Sequence, residues 1–366
     1  MANILSKRAR HAFDDGGNER DVPVLAHEFD SMMKLQNHHL NTGHVSCIRV
    51  LTWNVWFDSF MKNERMLSLL CESIGKWNAD VMCFQEVTPE FHMVMEKSEY
   101  IKEHYVCVER ARIKFYDVTM WVRSDLTILD SWAIKLPTQQ GRRCLVADID
   151  VSSRLIQCSS CRVRIGTVHL ESGRSNRSER SSQLSVVLDA ILSSRDAETC
   201  NGGIILTGDF NFCSSWADEN DAITENSCLA DVWALIRPDD EGFTEDTHKN
   251  PMLLRSKSGC EKRVRFDRII VASPTRPSEG TADSYSTPPS SPRTPEPLIS
   301  NFKELLLEKR CRCGDVSLIS QNNNPFCIPT KIDLTGTNPI SGLDNDIGDE
   351  VFPSDHFGLV ATFLFE

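Results

Sequence analysis

Short apolar runs rich in β-branched and aromatic residues recur along the chain from position 46 onward, each bounded by polar or turn-forming residues. "SCIRVLTWNVWF" (46–57), "ADVMCFQEV" (79–87), "VTMWVRS" (118–124), "CLVADIDV" (144–151), "RVRIGTVHLES" (162–172), "GGIILTGDFNF" (202–212), "VRFDRIIVAS" (264–273) and "DHFGLVATFLFE" (355–366) have the composition of buried strands. Two stretches carry apolar residues at helical spacing instead: "KNERMLSLLCESIGKW" (62–77) and "RSERSSQLSVVLDAILSS" (177–194). Many strands interleaved with few helices predict an α/β fold in which sheets pack face to face with helices outside. Residues 1–45 are polar and weakly patterned, and are expected to form a flexible N-terminal segment. The remainder, 46–366, is expected to form one domain with an insertion at about 273–325. The first part of that insertion, "SPTRPSEGTADSYSTPPSSPRTPEP" (273–297), is almost free of aliphatic residues. It cannot bury enough surface to offset the entropy of ordering it, so it is expected to be disordered. A short helix over "ISNFKELLLEKR" (299–310) is expected to follow.

The strand candidates end in a recurrent way. The first ends in Asn54, the next in Gln85 and Glu86; His169 lies near the end of "GTVHL". "IILTGD" ends in Asp209, with Asn211 two residues on; Asp267 lies within "RFDRII", and Asp355 and His356 precede the last strand. Taken singly, each has an ordinary explanation as a turn residue, a helix cap or a satisfied core histidine. Taken together they do not, because burying several uncompensated carboxylates is costly. Acids, amides and imidazoles at many strand ends are explained if they converge on one cation and one anion. Asp209 and Asn211 are expected to share a face, since residues i and i+2 of a strand point the same way.

The donor set is oxygen-rich, which suits Mg²⁺, with Mn²⁺ as the alternative, over Zn²⁺. There are 14 cysteines, but Cys47, Cys71, Cys83, Cys144 and Cys228 stand singly in apolar segments and read as buried reduced thiols. The pairs Cys158/Cys161 and Cys311/Cys313 lack partners at zinc-finger spacing. No Gly-rich phosphate cradle with Lys and no G-x-S-x-G elbow is present, which argues against an NTPase and a serine hydrolase. Metal-assisted hydrolysis of a phosphate ester is the class that remains. A net charge of −12 means that a nucleic-acid substrate needs a local basic patch, and "RSKSGCEKRVRFDR" (255–268) offers one. The chain opens without an apolar signal region and holds no run of about 18 apolar residues, so neither secretion nor a membrane is expected. "KRAR" (Lys7–Arg10) is too short to read as more than a solvated basic run.

"TWN" (52–54), "FQEV" (84–87), "HLES" (169–172), "GDFN" (208–211), "FDRI" (266–269) and "SDHFGL" (354–359) occur in an order and spacing that resemble the endonuclease/exonuclease/phosphatase superfamily. "HLESGRSNRSERSSQL", "DVWALIRPDDEGFTEDTHKNPML" and "RVRFDRI" resemble its type 2 5′-tyrosyl-DNA phosphodiesterase branch, and "NVWF" and "CFQEVTPE" the plant-like members of that branch. The resemblance implies a four-layer sandwich of two mixed β-sheets flanked by helices. It implies hydrolysis of the bond between a tyrosine oxygen and a DNA 5′-phosphate, as in clearing topoisomerase II adducts. Carried over by motif, Glu86 would hold Mg²⁺ with Asn54 beside it, and Asp355 would reach metal-bound water. Asp209 would orient and deprotonate the attacking water, and Asn211 would help hold it. His356 would donate to the phosphate, Asp267 would brace His356, and His169 would lie beside the phosphate. Arg143, Ser172, Arg174 and Arg265 are candidate DNA-end contacts.

Three positions depart from the pattern of the branch. Trp56 replaces an acid near the metal, Cys213 replaces an arginine near the phosphate, and Glu245 stands where an aromatic residue is usual. Two further readings stay open. One keeps the fold and changes the ester: an abasic-site endonuclease, a deadenylase, or an inositol or sphingolipid phosphatase. The other is an inactive scaffold working through the insertion, against which the intact Glu86, Asp209, Asn211, Asp267 and His356 argue. Ser-Pro and Thr-Pro pairs in 273–297 are candidate phosphorylation sites for regulated partners. Through the resemblance alone, the nucleus, with or without the cytoplasm, is the expected compartment.

Overall fold

The computed structural model describes residues 21–35, 47–109, 112–155, 160–192, 200–226, 228–256, 261–272, 327–341, 343 and 350–365. The 273–325 insertion with its expected helix, the Lys7–Arg10 run, and Cys158, Cys311 and Cys313 lie outside the described residues.

In chain order the strands are β1 (Cys47–Asn54), β2 (Val81–Val87), β3 (Tyr105–Cys107), β4 (Asp117–Arg123), β5 (Thr127–Lys135), β6 (Arg143–Asp150), β7 (Arg162–His169), β8 (Ile204–Asp209), β9 (Leu229–Asp231), β10 (Glu245–Asp246), β11 (Arg263–Val264), β12 (Asp267–Ala272), β13 (Cys327–Thr335) and β14 (Gly358–Phe365). They form two six-stranded mixed sheets, ordered β13-β14-β1-β2-β4-β3 and β5-β6-β7-β8-β12-β9, and a ribbon of β10 and β11. Each large sheet has one parallel pair, β1 with β2 and β7 with β8, beside antiparallel neighbours. Parallel neighbours need a crossover. Helix Lys62–Leu70, continued by a π-turn over Cys71–Lys76, supplies the first, and helix Arg177–Leu192 the second.

Alternation along the strands sorts the core into layers. Ile48 and Val50 of β1, Val81 and Cys83 of β2, Ile165 of β7, Ile205 of β8 and Ile269 of β12 meet between the two sheets. Their neighbours one residue away face outward. Leu51, Trp53, Met82 and Phe84 pack under the helices of the first sheet, and Ile204, Leu206 and Ile270 under those of the second. The result is the expected four-layer sandwich.

The N-terminal segment departs from expectation. Val22–Leu35 is a helix that buries Val22, Leu25, Ala26, Phe29 and Met33 against the first sheet's helical layer. Its Asp30 accepts hydrogen bonds from the Glu99 and Tyr100 amides (2.9 and 3.1 Å), so it serves the N-terminus of the neighbouring helix Glu99–His104. The apolar spacing of a helix is present in 22–33 but is masked by the polar residues around it. Cys47, Cys83 and Cys144 are buried free thiols, whereas Cys71 and Cys228 are only half-buried.

Candidate active site

The site lies between the sheets, where β1, β2, β7 and β8 end and β12 begins. Strand register places its centre. His169 of β7 stands opposite Asp209 of β8, and Asp209 opposite Asp267 of β12, so one row across three strands carries an imidazole and two carboxylates. Two residues earlier on β7 and β8 lie Thr167 and Thr207, and on the facing sheet Thr52 lies two before Asn54 of β1, all fully buried. Gln85 of β2 crosses between the sheets to join this layer, donating to Thr167 Oγ1 (3.0 Å) and Thr52 Oγ1 (3.1 Å). A hydrogen-bonded polar floor therefore separates the site from the apolar core.

Glu86 follows Gln85 and in a regular strand would point outward. A register shift between Phe84 and Val87, with Glu86 at φ 59°, turns it inward instead. Such a backbone costs about 1–3 kcal/mol and persists only where the surroundings enforce it. Glu86 Oε2 accepts from the Phe57 amide at 3.2 Å. The Asn54 amide bridges two carboxylates, with Nδ2 3.1 Å from Glu86 Oε1 and 3.0 Å from Asp209 Oδ2. His169 Nε2 stands 3.6 Å from Asp209 and 3.9 Å from Glu86. Asn211 reaches the site by a turn and not by strand alternation. It lies beyond β8 at φ 54°, its amide N–H donates to Asp209 Oδ1 (2.8 Å), and its side chain donates to the Leu170 carbonyl (3.0 Å).

His356 arrives on the loop before β14, which is tied down on several sides. Ser354 Oγ donates to the Asn54 carbonyl (2.6 Å), Trp53 Nε1 donates to the His356 carbonyl (2.9 Å), and the Phe357 amide donates to the Thr244 carbonyl (2.7 Å). The imidazole is flanked by acids: Asp267 Oδ2 lies 2.8 Å from Nδ1, Glu245 Oε1 lies 3.3 Å from Nε2, and Asp355 Oδ1 lies 4.0 Å from Nε2. Donor atoms of Asp209, Asp267 and His356 all fall within 4.8 Å of one another.

These surroundings assign protonation states. Burial alone would drive His356 toward neutrality, but Asp267, Glu245 and Asp355 outweigh it and hold the ring cationic well above its ordinary range. His169 is pushed down to about 3 by burial and by the Arg142 guanidinium, so it is neutral. Burial raises Asp209, yet the two imidazoles and the hydrogen bonds from Asn54 and Asn211 more than offset it, and the carboxyl ends below its usual value. Burial raises Glu86 despite His356 and Asn54, and lifts Asp355 to about 7. The site thus pairs an ionised, oriented carboxylate with a fixed imidazolium.

The Endonuclease/Exonuclease/phosphatase family model matches residues 51–356, which span every strand end described above. The chain belongs to that family. Within it, the chain is 28% identical over 226 residues to tyrosyl-DNA phosphodiesterase 2 of Xenopus tropicalis, covering 60% of this chain and 54% of that protein. It is 26% identical over 228 residues to the Homo sapiens protein of that name, covering 62% and 58%. The chain therefore spans a little over half the length of these curated relatives. Among solved structures, Danio rerio TDP2 complexed with single strand DNA product aligns with TM-score 0.58 at 22% identity, covering 87% of this chain and 99% of that one. The human Nocturnin catalytic domain aligns with TM-score 0.53 at 15% identity, covering 88% and 94%. Likeness at this identity speaks for the fold.

The donor set of this family member fits a metal cation. Glu86, Asp209, Asp267, Asp355 and Glu245 crowd around one imidazolium, and burial disfavours the charges of Glu86, Asp267 and Asp355 unless a further cation compensates them. Asp209, Asp267 and His356 form one group able to hold a metal. Since His356 Nδ1 is committed to Asp267, Glu86 with the neighbouring Asn54 and Asp355 is the better-placed oxygen set.

The four candidate contacts outside the row fare differently. Arg174 is exposed, stacked over Trp216 at 4.4 Å. Ser172 Oγ donates to Gln140 Oε1 (2.9 Å). Arg143 is paired with Asp117 (3.0 Å) and Glu109. Arg265 is turned inward, 2.7 Å from Asp231 and only 5% exposed, and so is not brought to the site's surface. The basic run ending at Arg268 is offset in the same way, since Lys262 pairs with Glu245 and Arg268 with Asp231. The residue missed is Arg142, one position before Arg143. Its guanidinium meets His169 Nδ1 at 2.8 Å, donates to Gln140 Oε1 at 2.8 Å and lies 5.4 Å over the Tyr116 ring. Neither Tyr116 nor the proximity of Glu245 to His356 carries a local sequence signal.

Proposed function

We propose that the chain is a Mg²⁺-dependent phosphodiesterase, with Mn²⁺ as substitute, that hydrolyses the ester between a tyrosine oxygen and a DNA 5′-phosphate. The observation that carries this reading is the division of charge in the site. Asp209, bridged to Glu86 through Asn54, is anionic, while His356, braced by Asp267, is cationic within reach of the same space. Glu86, Asn54 and Asp355 would hold the metal, which would supply Lewis-acid polarisation of a phosphate oxygen. Asp209 orients a water and takes its proton as the oxygen attacks phosphorus. His356 donates a hydrogen bond to the non-bridging oxygens as their charge grows. Neutral His169, held in one tautomer by Arg142, offers Nε2–H to the same group. The P–O bond to tyrosine breaks, and a phenol, with a pKa of about 10, leaves far more readily than an alkyl alcohol. The names of the curated relatives, the product-bound TDP2 structure and this geometry support the tyrosyl substrate; a DNA substrate favours the nucleus, with or without the cytoplasm, as the compartment.

The test is release of tyrosine from a 5′-phosphotyrosyl oligonucleotide with Mg²⁺. Asp209→Asn is expected to lower kcat by at least about 10³-fold, with little change in oligonucleotide binding. Faster cleavage of an abasic-site duplex than of the tyrosyl substrate would overturn the assignment.

A further inference from the structure

A tyrosyl adduct has two arms, a nucleic acid strand and a polypeptide, and the residues described so far address the phosphate between them. Beside the site lies an open groove of about 480 Å³, lined among others by Phe57, Pro89, Glu90, Lys114, Phe115 and Tyr116. Its volume is within the range of ligand sites, about 300–1,000 Å³. Two of its aromatic residues are left in water, Phe57 at 49% and Phe115 at 83% exposure. The groove is continuous with the site. Phe57 stacks on Tyr116 with ring centres 4.9 Å apart and planes 3° from parallel, and the Tyr116 ring lies 6.3 Å from that of His169. The Phe57 amide is also the donor to Glu86.

We propose that this groove seats the polypeptide arm of the adduct, binding apolar or aromatic side chains next to the linked tyrosine. The inference rests on the phosphodiesterase reading above. The groove, with Lys114 as its one lining cation, offers a strand no cluster of cations. A strand carries a phosphate at every nucleotide, yet the groove wall includes Glu90, which already occupies Lys62 in an ion pair at 2.9 Å. The groove's own exposed cation is Lys114; Arg174, Arg177 and Arg263 stand on the second sheet's side and on the ribbon, Arg177 and Arg263 paired with Asp218 and Asp246. The two arms leave the phosphorus in different directions, so a strand on the cationic side leaves the aromatic side to the peptide. Rigid exposed rings bind such side chains with little entropy loss.

The experiment uses the full chain and two substrates on one oligonucleotide: a single 5′-phosphotyrosine, and a short peptide linked through its tyrosine with an aromatic residue adjacent. Phe115→Ala, at an exposed position outside the catalytic residues, is expected to raise KM for the peptide substrate about tenfold, equivalent to about 1.4 kcal/mol. Its kcat, and both parameters for the single-tyrosine substrate, stay within about twofold, and Phe115→Trp restores the peptide KM. An equal rise of KM on both substrates means that nucleobases stack in the groove and overturns the proposal, as does no change on either. If the wild-type protein releases tyrosine from neither substrate, the phosphodiesterase reading itself fails.

Discussion

His356 is held by carboxylates at both ring nitrogens, and the two do different things. Asp267 at Nδ1 fixes the ring's orientation, while Glu245 at Nε2 occupies the position from which the ring would donate to a phosphate. Glu245 is 3% exposed and paired with Lys262, so a negative charge and a neutralised lysine stand where the phosphate arrives. Glu245→Gln removes that charge and frees Lys262. KM for a DNA substrate is expected to fall about fivefold at low salt, the scale of one partly screened charge pair near ~1 kcal/mol. The pH profile supplies the second readout. Carboxylates raise the folded-state pKa of His356, so the cation persists through neutral pH and is lost as pH rises through that raised value. With one carboxylate gone the value falls, and the alkaline limb of kcat/KM moves to lower pH. An alkaline limb that stays in place would show that Glu245 does not act on His356. Asp267→Asn shifts the limb the same way but lowers kcat as well, because it also loosens the ring.

The His169–Asp209–Asp267 row exists because β7, β8 and β12 are held in one register, and Gly208 is where that register is most constrained. It adopts φ +134°, and a Cβ there would lie 2.0 Å from the Val168 carbonyl oxygen, so the backbones of β7 and β8 meet where only glycine fits. Gly208→Ala is expected to cost about 3 kcal/mol or more, lowering Tm by about 6–12 °C in a domain of this size. Thermal denaturation checks this, and an unchanged Tm would mean that the row tolerates slippage. The same geometry explains what the sequence could disclose. Asn54, His169 and Asp209 follow Thr52, Thr167 and Thr207 by two residues, and the period of a strand made their common direction readable. Glu86 was readable as a strand-end acid, but its inward turn depends on a positive φ that no side-chain pattern announces. Arg142 and Arg143 are neighbours of one type; only the loop conformation before β6 determines which meets His169 and which meets Asp117. Asn211 lies beside Asp209, but a turn and not strand alternation brings it there.

Across the whole molecule, two packed sheets and their helices compress several acids into one rim, which couples folding stability to proton and metal binding. Asp355 has a folded-state pKa of about 7 against an ordinary carboxylate value, and Glu86 is raised in the same direction, both first by burial. The folded state therefore binds these protons more tightly than the unfolded chain does. Their stabilising contribution is complete below the unfolded pKa and is lost as pH rises, for Asp355 through about 7. A divalent cation reverses the sign, since it binds the ionised forms. Metal-free protein is thus expected to lose Tm between pH 5 and pH 8 relative to Asp355→Asn, in which that titration is absent. Mg²⁺ at about 100 times its Kd adds about 2.7 kcal/mol at pH 8, or about 5–10 °C, and less at pH 6, where protons compete. Glu86→Gln should remove most of this gain while leaving the metal-free Tm unchanged or slightly raised. Differential scanning calorimetry at the two pH values, with and without Mg²⁺, reads all of these terms. A metal-induced gain as large in Glu86→Gln as in the wild type would place the cation elsewhere, at Asp209, Asp267 and His356, and would require His356 to exchange its proton for the metal.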